Sequence, residues 1–153
     1  MPNKTFTPEK KSTPEFDYEF LGWKVKDGSD ALVNPNTTAV IADVTYEAVF
    51  KQITRQYTVT WKNSDDAADS LDTQTVDYNN KPTKDPRDQA SKASDAQYTY
   101  EFKGWKLKDD KTDTIVEPKN RAVTENVTYV AVFEPVTRQY TVTYYVDGER
   151  QRS

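Results

Sequence analysis

Apolar and polar residues alternate with a period of two along much of this chain, the mark of strands with one buried face. Phe16, Tyr18 and Phe20 alternate with Asp17, Glu19 and Leu21, and Tyr98, Tyr100 and Phe102 repeat the pattern. Val44, Tyr46, Ala48 and Phe50 predict a second kind of strand, copied at Val127, Tyr129, Ala131 and Phe133. Tyr57, Val59 and Trp61 alternate with Thr58, Thr60 and Lys62. Leu71 to Tyr78 predicts a further strand, with Thr73, Thr75 and Val76 suited to it. Turn-forming clusters separate these runs: Asp27-Gly28-Ser29-Asp30, Asn34-Pro35-Asn36, Asn79-Asn80-Lys81-Pro82 and Asp147-Gly148. The polar stretch from Asp85 to Ser94 reads as a loop or one short helix. No apolar stripe of 3.6-residue period runs over three turns. The expected class is mainly β, α+β at most.

The pattern is also periodic on a longer scale. The 17 residues Val44–Thr60 return as Val127–Thr143 with 13 identities, at an offset of 127 − 44 = 83. Upstream, Tyr18-Glu-Phe-Leu-Gly-Trp23 returns as Tyr100-Glu-Phe-Lys-Gly-Trp105, at 100 − 18 = 82. The one-residue difference falls between Lys24 and Pro35, a predicted loop, where insertions are tolerated. A period of this size suggests tandem units that stack along the chain. If a unit begins at Arg55, then 55–137 is one whole unit. Residues 1–54 are then a partial or permuted unit, and 138–153 the opening strand of the next. A shifted phase divides the chain as 1–62 and 63–153.

Composition narrows the class. Charged residues make up 30% and mean hydropathy is −0.95, values that lean toward disorder. Against that stand 3 Trp, 10 Tyr and 6 Phe, which suit small aromatic cores beneath a very polar surface. The aromatics expected to form those cores are Phe20, Trp23, Tyr46, Phe50, Tyr57, Phe102, Trp105, Tyr129, Phe133 and Tyr140. Net charge is −4 with no basic block, so neither nucleic acid nor an anionic membrane surface is an expected partner. No run of 18 apolar residues predicts a membrane span. The start, Met1-Pro2-Asn3-Lys4, lacks an apolar stretch behind it and does not read as a signal peptide.

Candidate chemistry is sparse. With no His and no Cys, there is no Ser-His or Cys-His pair, no disulfide and no imidazole or thiolate metal ligand. Four Gly residues make no phosphate loop or dinucleotide fingerprint. A glycosidase-type carboxylate pair needs a deep cleft, which an 83-residue unit has little room to build. No enzyme activity, cofactor or metal is expected. The acidic loops 27–30, 63–69 and 109–113 offer oxygen ligands for calcium but lack EF-hand spacing, and they read as solvated turns. Thr58/Thr60 and Thr141/Thr143 read as the solvent face of a strand rather than as glycosylated or ice-binding ladders. No Lys, Asn and acid trio marks an intramolecular isopeptide bond. Gly22-Trp23 and Gly104-Trp105 read as core anchors after a glycine-enabled bulge, not as exposed sugar-stacking tryptophans. Trp61 has Tyr144 as its counterpart and reads as half-buried, with its polar edge wet.

Three ordered elements carry a resemblance: Tyr57-Thr-Val-Thr-Trp61 with Lys81-Pro82 to Pro86 after it, Tyr100-Glu-Phe-Lys-Gly-Trp105, and Val123 to Phe133. The last two recur at Tyr18–Trp23 and Val40–Phe50. Together they resemble the Listeria–Bacteroides repeat, the internalin B-repeat type. The chain departs from it in a longer unit, and in Asn63–Asp69 where the family has a Gly-rich hairpin. The resemblance implies β-grasp-like, ubiquitin-like units in elongated tandem arrays on bacterial cell-surface proteins, outside the cell. Signal and wall anchor are then expected outside this segment. It implies a stalk or spacer of an adhesin-like protein, with linkers such as Gln52–Arg55 and Glu134–Arg138 coupling neighbouring repeats stiffly. The alternative function is a repeat-borne module that binds host glycan or protein. The chain is expected to be a monomer, or to self-associate weakly if strand 138–147 completes residues 1–54 of another molecule.

Overall fold

The computed structural model describes residues 7–147 and 149–151. Met1-Pro2-Asn3-Lys4 and Gly148 of the Asp147-Gly148 turn lie outside the described residues. Strand makes up 41% of the described residues and helix 4%, so the fold is mainly β. Among the described residues eight strands follow in order: β1 (Phe16–Val25), β2 (Tyr46–Thr54), β3 (Gln56–Lys62), β4 (Asp72–Asp77), β5 (Tyr98–Leu107), β6 (Val127–Thr137), β7 (Tyr144–Val146) and β8 (Glu149–Gln151). Two 3-10 turns, Arg87–Gln89 and Pro118–Asn120, are the helical elements.

The main sheet has the order β4-β3-β6-β5. Its outer pairs, β3 with β4 and β5 with β6, are antiparallel, and its two central strands, β3 and β6, are parallel. Parallel neighbours need a long crossover, and here the whole of β4, the 79–97 segment and β5 lies between them. All four strands fall within 56–137. β1 and β2 form a separate antiparallel pair, and β7 and β8 a short third one.

Side-chain alternation puts Tyr57, Val59 and Trp61 of β3 on one face, beside Tyr129, Ala131 and Phe133 of β6. Val59, Trp61, Val76, Trp105, Val123, Tyr129 and Ala131 form the buried cluster. Tyr57, Leu71, Ala90, Phe102, Leu107, Val116, Val127 and Phe133 pack at its border. The crossover after β4 is tied to the sheet: the Gln74 side chain holds Thr83 and Lys84, and Asn63 accepts the Ser91 N–H. Pro82 and Pro86 are buried along this segment.

The β1–β2 pair copies β5–β6 in register. Phe20 faces Phe50, Gly22 faces Val49 and Trp23 faces Ala48; Phe102 faces Phe133, Gly104 faces Val132 and Trp105 faces Ala131. Both pairs shift register between the Phe and the Gly, and both glycines sit at positive φ, 151° and 147°. The bulge turns the following Trp onto the core face. Each Trp then bridges a valine, Val33 or Val116. The offset changes from 82 to 83 between these two anchors, so the inserted residue lies in the intervening turn. Asp27 and Asp109 take left-handed conformations there. Edge-on aromatic contacts repeat as well: Phe20 with Trp23 and Phe50, Phe102 with Trp105 and Phe133.

Three expectations need correction. Trp61 is fully buried rather than wet at its edge, because β6 and β4 flank it on both sides. Tyr140 is no core residue: it is 66% exposed. Its counterpart Tyr57 lies in a strand between two neighbours, whereas 138–143 is not in a strand at all. The opening strand expected over 138–147 is therefore confined to β7, paired with β8.

Candidate functional site

Among the described residues, no cluster of three or more His, Cys, Asp or Glu is placed to hold a metal ion. Two of the less exposed ionisable groups, Lys106 and Asp85, are paired. Lys106 donates to Asp113 at 2.7 Å and lies 3.4 Å from Asp65, at the edge of an open groove of about 380 Å³. The Asp113 hydrogen bond holds its ammonium above the usual lysine range, against some loss of hydration. The Asp109 backbone N–H, with Lys106 beside it, holds Asp65 below the usual carboxylate range.

Asp85 is the most enclosed acid of a second cluster. Its Oδ1 accepts the Trp105 indole N–H at 3.0 Å, and its Oδ2 accepts two guanidinium N–H groups of Arg87 at 3.0 and 2.6 Å. Burial pushes this carboxyl up, but the Arg87 and Trp105 hydrogen bonds outweigh it and hold Asp85 below its ordinary value. Arg87 also lies over the Phe102 ring. This arrangement clamps the crossover segment onto the bulge tryptophan.

What the structure builds twice is a joint. Where β2 hands over to β3, the Arg55 N–H donates to the Glu15 carbonyl at 2.8 Å. The Arg55 guanidinium donates to the Thr13 carbonyl at 3.0 Å, and the Tyr57 hydroxyl donates to the Pro14 carbonyl. Where β6 ends, the Arg138 N–H donates to the Gln97 carbonyl at 2.8 Å. The Arg138 guanidinium donates to the Asp95 carbonyl at 2.9 Å, and the Tyr140 hydroxyl to that of Ala96. In each joint the guanidinium stacks 5.4 Å over the tyrosine ring. A lysine, Lys10 or Lys92, sits 4.3 Å over the ring of Tyr18 or Tyr100.

The loop that receives each arginine is itself braced. Thr13 Oγ1 accepts the Phe16 N–H, and Thr13 N–H donates to the Phe16 carbonyl. In the second copy Asp95 accepts from the N–H groups of Tyr98 and Gln97 and from the Tyr100 hydroxyl, which together hold its carboxyl low. Sequence reasoning placed a stiff linker at Gln52–Arg55 and Glu134–Arg138. It missed the partners, since Thr13-Pro14-Glu15 and Asp95-Ala96-Gln97 share no identity. They offer backbone carbonyls, which any residue supplies.

The expected core aromatics divide by copy. Trp105 and Tyr129 are buried, while Tyr57, Phe102 and Phe133 pack at the cluster border. Phe20, Trp23, Tyr46 and Phe50 are only half-buried, on the pair that, among the described residues, has no strands equivalent to β3 and β4 beside it. Tyr18, Phe20 and Phe50 line a groove of about 650 Å³ with residues 7–12. Compared with protein-family models, with curated proteins and with solved structures, the chain matches none.

Proposed function

We propose that this chain is a non-catalytic spacer segment of a bacterial cell-surface protein, built of units of the Listeria–Bacteroides repeat type. One unit spans 55–137 and has a β-grasp-like sheet, with parallel central strands and the crossover segment 79–97 in the place of the usual helix. The reading rests above all on the joint. Two junctions 83 residues apart use the same donors, the same kind of acceptors and the same cation–π stack. A flexible linker would not need such bonds, and a spacer does, because each order of bending freedom removed at a junction carries the next unit further from the anchor.

Small-angle X-ray scattering extrapolated to zero concentration tests the reading. A compact globule of this length has a radius of gyration of about 15 Å. The spacer reading expects a clearly larger value with a rod-like profile. A value near the compact one means that the units fold back on each other, and the reading then fails.

A further inference from the structure

The direction in which the chain enters and leaves the main sheet sets how that sheet meets tension. The chain enters β3 at Gln56 and leaves β6 at Thr137. Val59 faces Val127 and Lys62 faces Val130, so the two strands lie side by side and run the same way. The entering end of β3 and the leaving end of β6 are therefore at opposite ends of their shared seam. Tension along the chain slides one strand past the other and loads the hydrogen bonds of the seam together.

The β1–β2 pair meets the same tension differently. Phe16 faces Thr54, so the chain enters and leaves this antiparallel pair at one end, and tension opens its ladder one bond at a time. Three further features suit the β3–β6 seam to load. It is central in the order β4-β3-β6-β5, so neither strand can peel from an edge. Val59, Trp61, Tyr129 and Val130 are fully buried along it, so water does not readily replace a stretched bond. The Thr58 N–H donates to Asn126 Oδ1 at 2.9 Å, which adds a bond at the end where tension enters β3.

We propose that the β3–β6 seam is a mechanical latch, which keeps the sheet of residues 56–137 folded when the chain is pulled along its length. The latch deepens the spacer reading and rests on it for the direction of the load, since a segment that holds one part of a protein away from an anchor is pulled end to end. Resistance to pulling is set by the barrier to forced unfolding. It is therefore separate from the shape of the unloaded molecule, on which the spacer reading is tested.

Single-molecule force spectroscopy of the 153-residue chain, held by handles at its two termini, tests the latch. Two releases are expected: residues 16–54 at low force, and residues 56–137 at a severalfold higher force. Their gains in contour length differ about twofold, at about 3.4 Å per residue, which tells them apart. The same sheet is then pulled in a second direction. The chain has no Cys, so Ser94→Cys, at an exposed position, gives a single attachment point just before β5. Tension between that point and the C terminus loads β5 and β6 at the facing residues Tyr98 and Thr137. This antiparallel ladder is expected to open bond by bond, at a force close to that of β1–β2. Both pulls start from the same folded sheet, so the difference between them reads direction and not stability. Equal forces in the two directions overturn the latch, as does end-to-end opening of 56–137 at the β1–β2 force. A rod-like scattering profile with a weak seam removes the latch and leaves the spacer reading. A compact profile with a strong seam removes the spacer reading and leaves the latch as a property of the sheet.

Discussion

Trp61 and Trp105 share the core face of one sheet and differ in a single hydrogen bond. The Trp105 indole N–H donates to Asp85, whereas the equally buried Trp61 indole N–H has no partner. A buried donor without an acceptor raises the energy of the folded state, so removing it offsets part of the packing lost with the larger ring. Trp105→Phe loses packing and also leaves a half-enclosed carboxylate oxygen unpaired. Trp105→Phe should therefore destabilise the sheet by about 1–2 kcal/mol more than Trp61→Phe. Urea midpoints at unchanged slope would check this, and equal costs would remove the role given to Asp85. The sequence marked Trp105 as a core anchor but read Trp61 as half-buried, with its polar edge wet. The Trp61/Tyr144 exchange suggested that reading. The structure shows why it misled: the two positions have different neighbours, so Tyr144 says nothing about how enclosed Trp61 is.

At the scale of the element, the bulge is the feature most legible beforehand. A glycine between an aromatic strand and a tryptophan, seen twice, predicted a backbone that an ordinary residue resists, and both glycines take positive φ. What the sequence did not indicate is how tightly each is covered. A methyl group on Gly104 would come within 2.8 Å of Ile115 Cγ2, but one on Gly22 would meet Leu32 at 3.4 Å, an ordinary contact. Gly104→Ala should cost about 1–3 kcal/mol from backbone strain alone. A comparable overpacking penalty, again about 1–3 kcal/mol, should add to it. Ile115 is itself half-exposed, so Ile115→Ala is cheap. The double variant should recover the overpacking part in a urea titration and leave the strain. No recovery would mean that the backbone carries the whole effect. Strand positions were likewise readable from alternation, whereas their order was not. The parallel β3–β6 pairing depends on which edges meet across some 70 residues (127 − 59 = 68), and periodicity within a strand carries no such information.

The whole molecule offers a comparison that few chains allow. β1–β2 and β5–β6 share register, bulge and most of their sequence, yet β5–β6 lies against β3 and β4 and β1–β2 does not. Intrinsic amide exchange rates depend on local sequence and nearly cancel between counterparts. The ratio of protection at Lys24 and Lys106, or at Val49 and Val132, whose N–H groups lie in the antiparallel ladders, therefore reports what the added strands contribute. Opening β1–β2 exposes half-buried side chains, while opening β5–β6 uncovers Trp105, Tyr129 and Ala131 from a closed cluster. Burial of that extent makes local opening of β5–β6 costlier. Hydrogen exchange at a concentration low enough to keep the chain monomeric should show the β5–β6 amides more than tenfold slower than their counterparts, a difference of about 1.4 kcal/mol or more. The slowest should be those at the β3–β6 seam, around Val59, Trp61, Tyr129 and Val130, which is buried to about the same degree. Equal protection in the two pairs would mean that each antiparallel pair is held by its own bulge and aromatics. Stability would then belong to the pair, and the four-stranded sheet would not be the unit that opens and closes together.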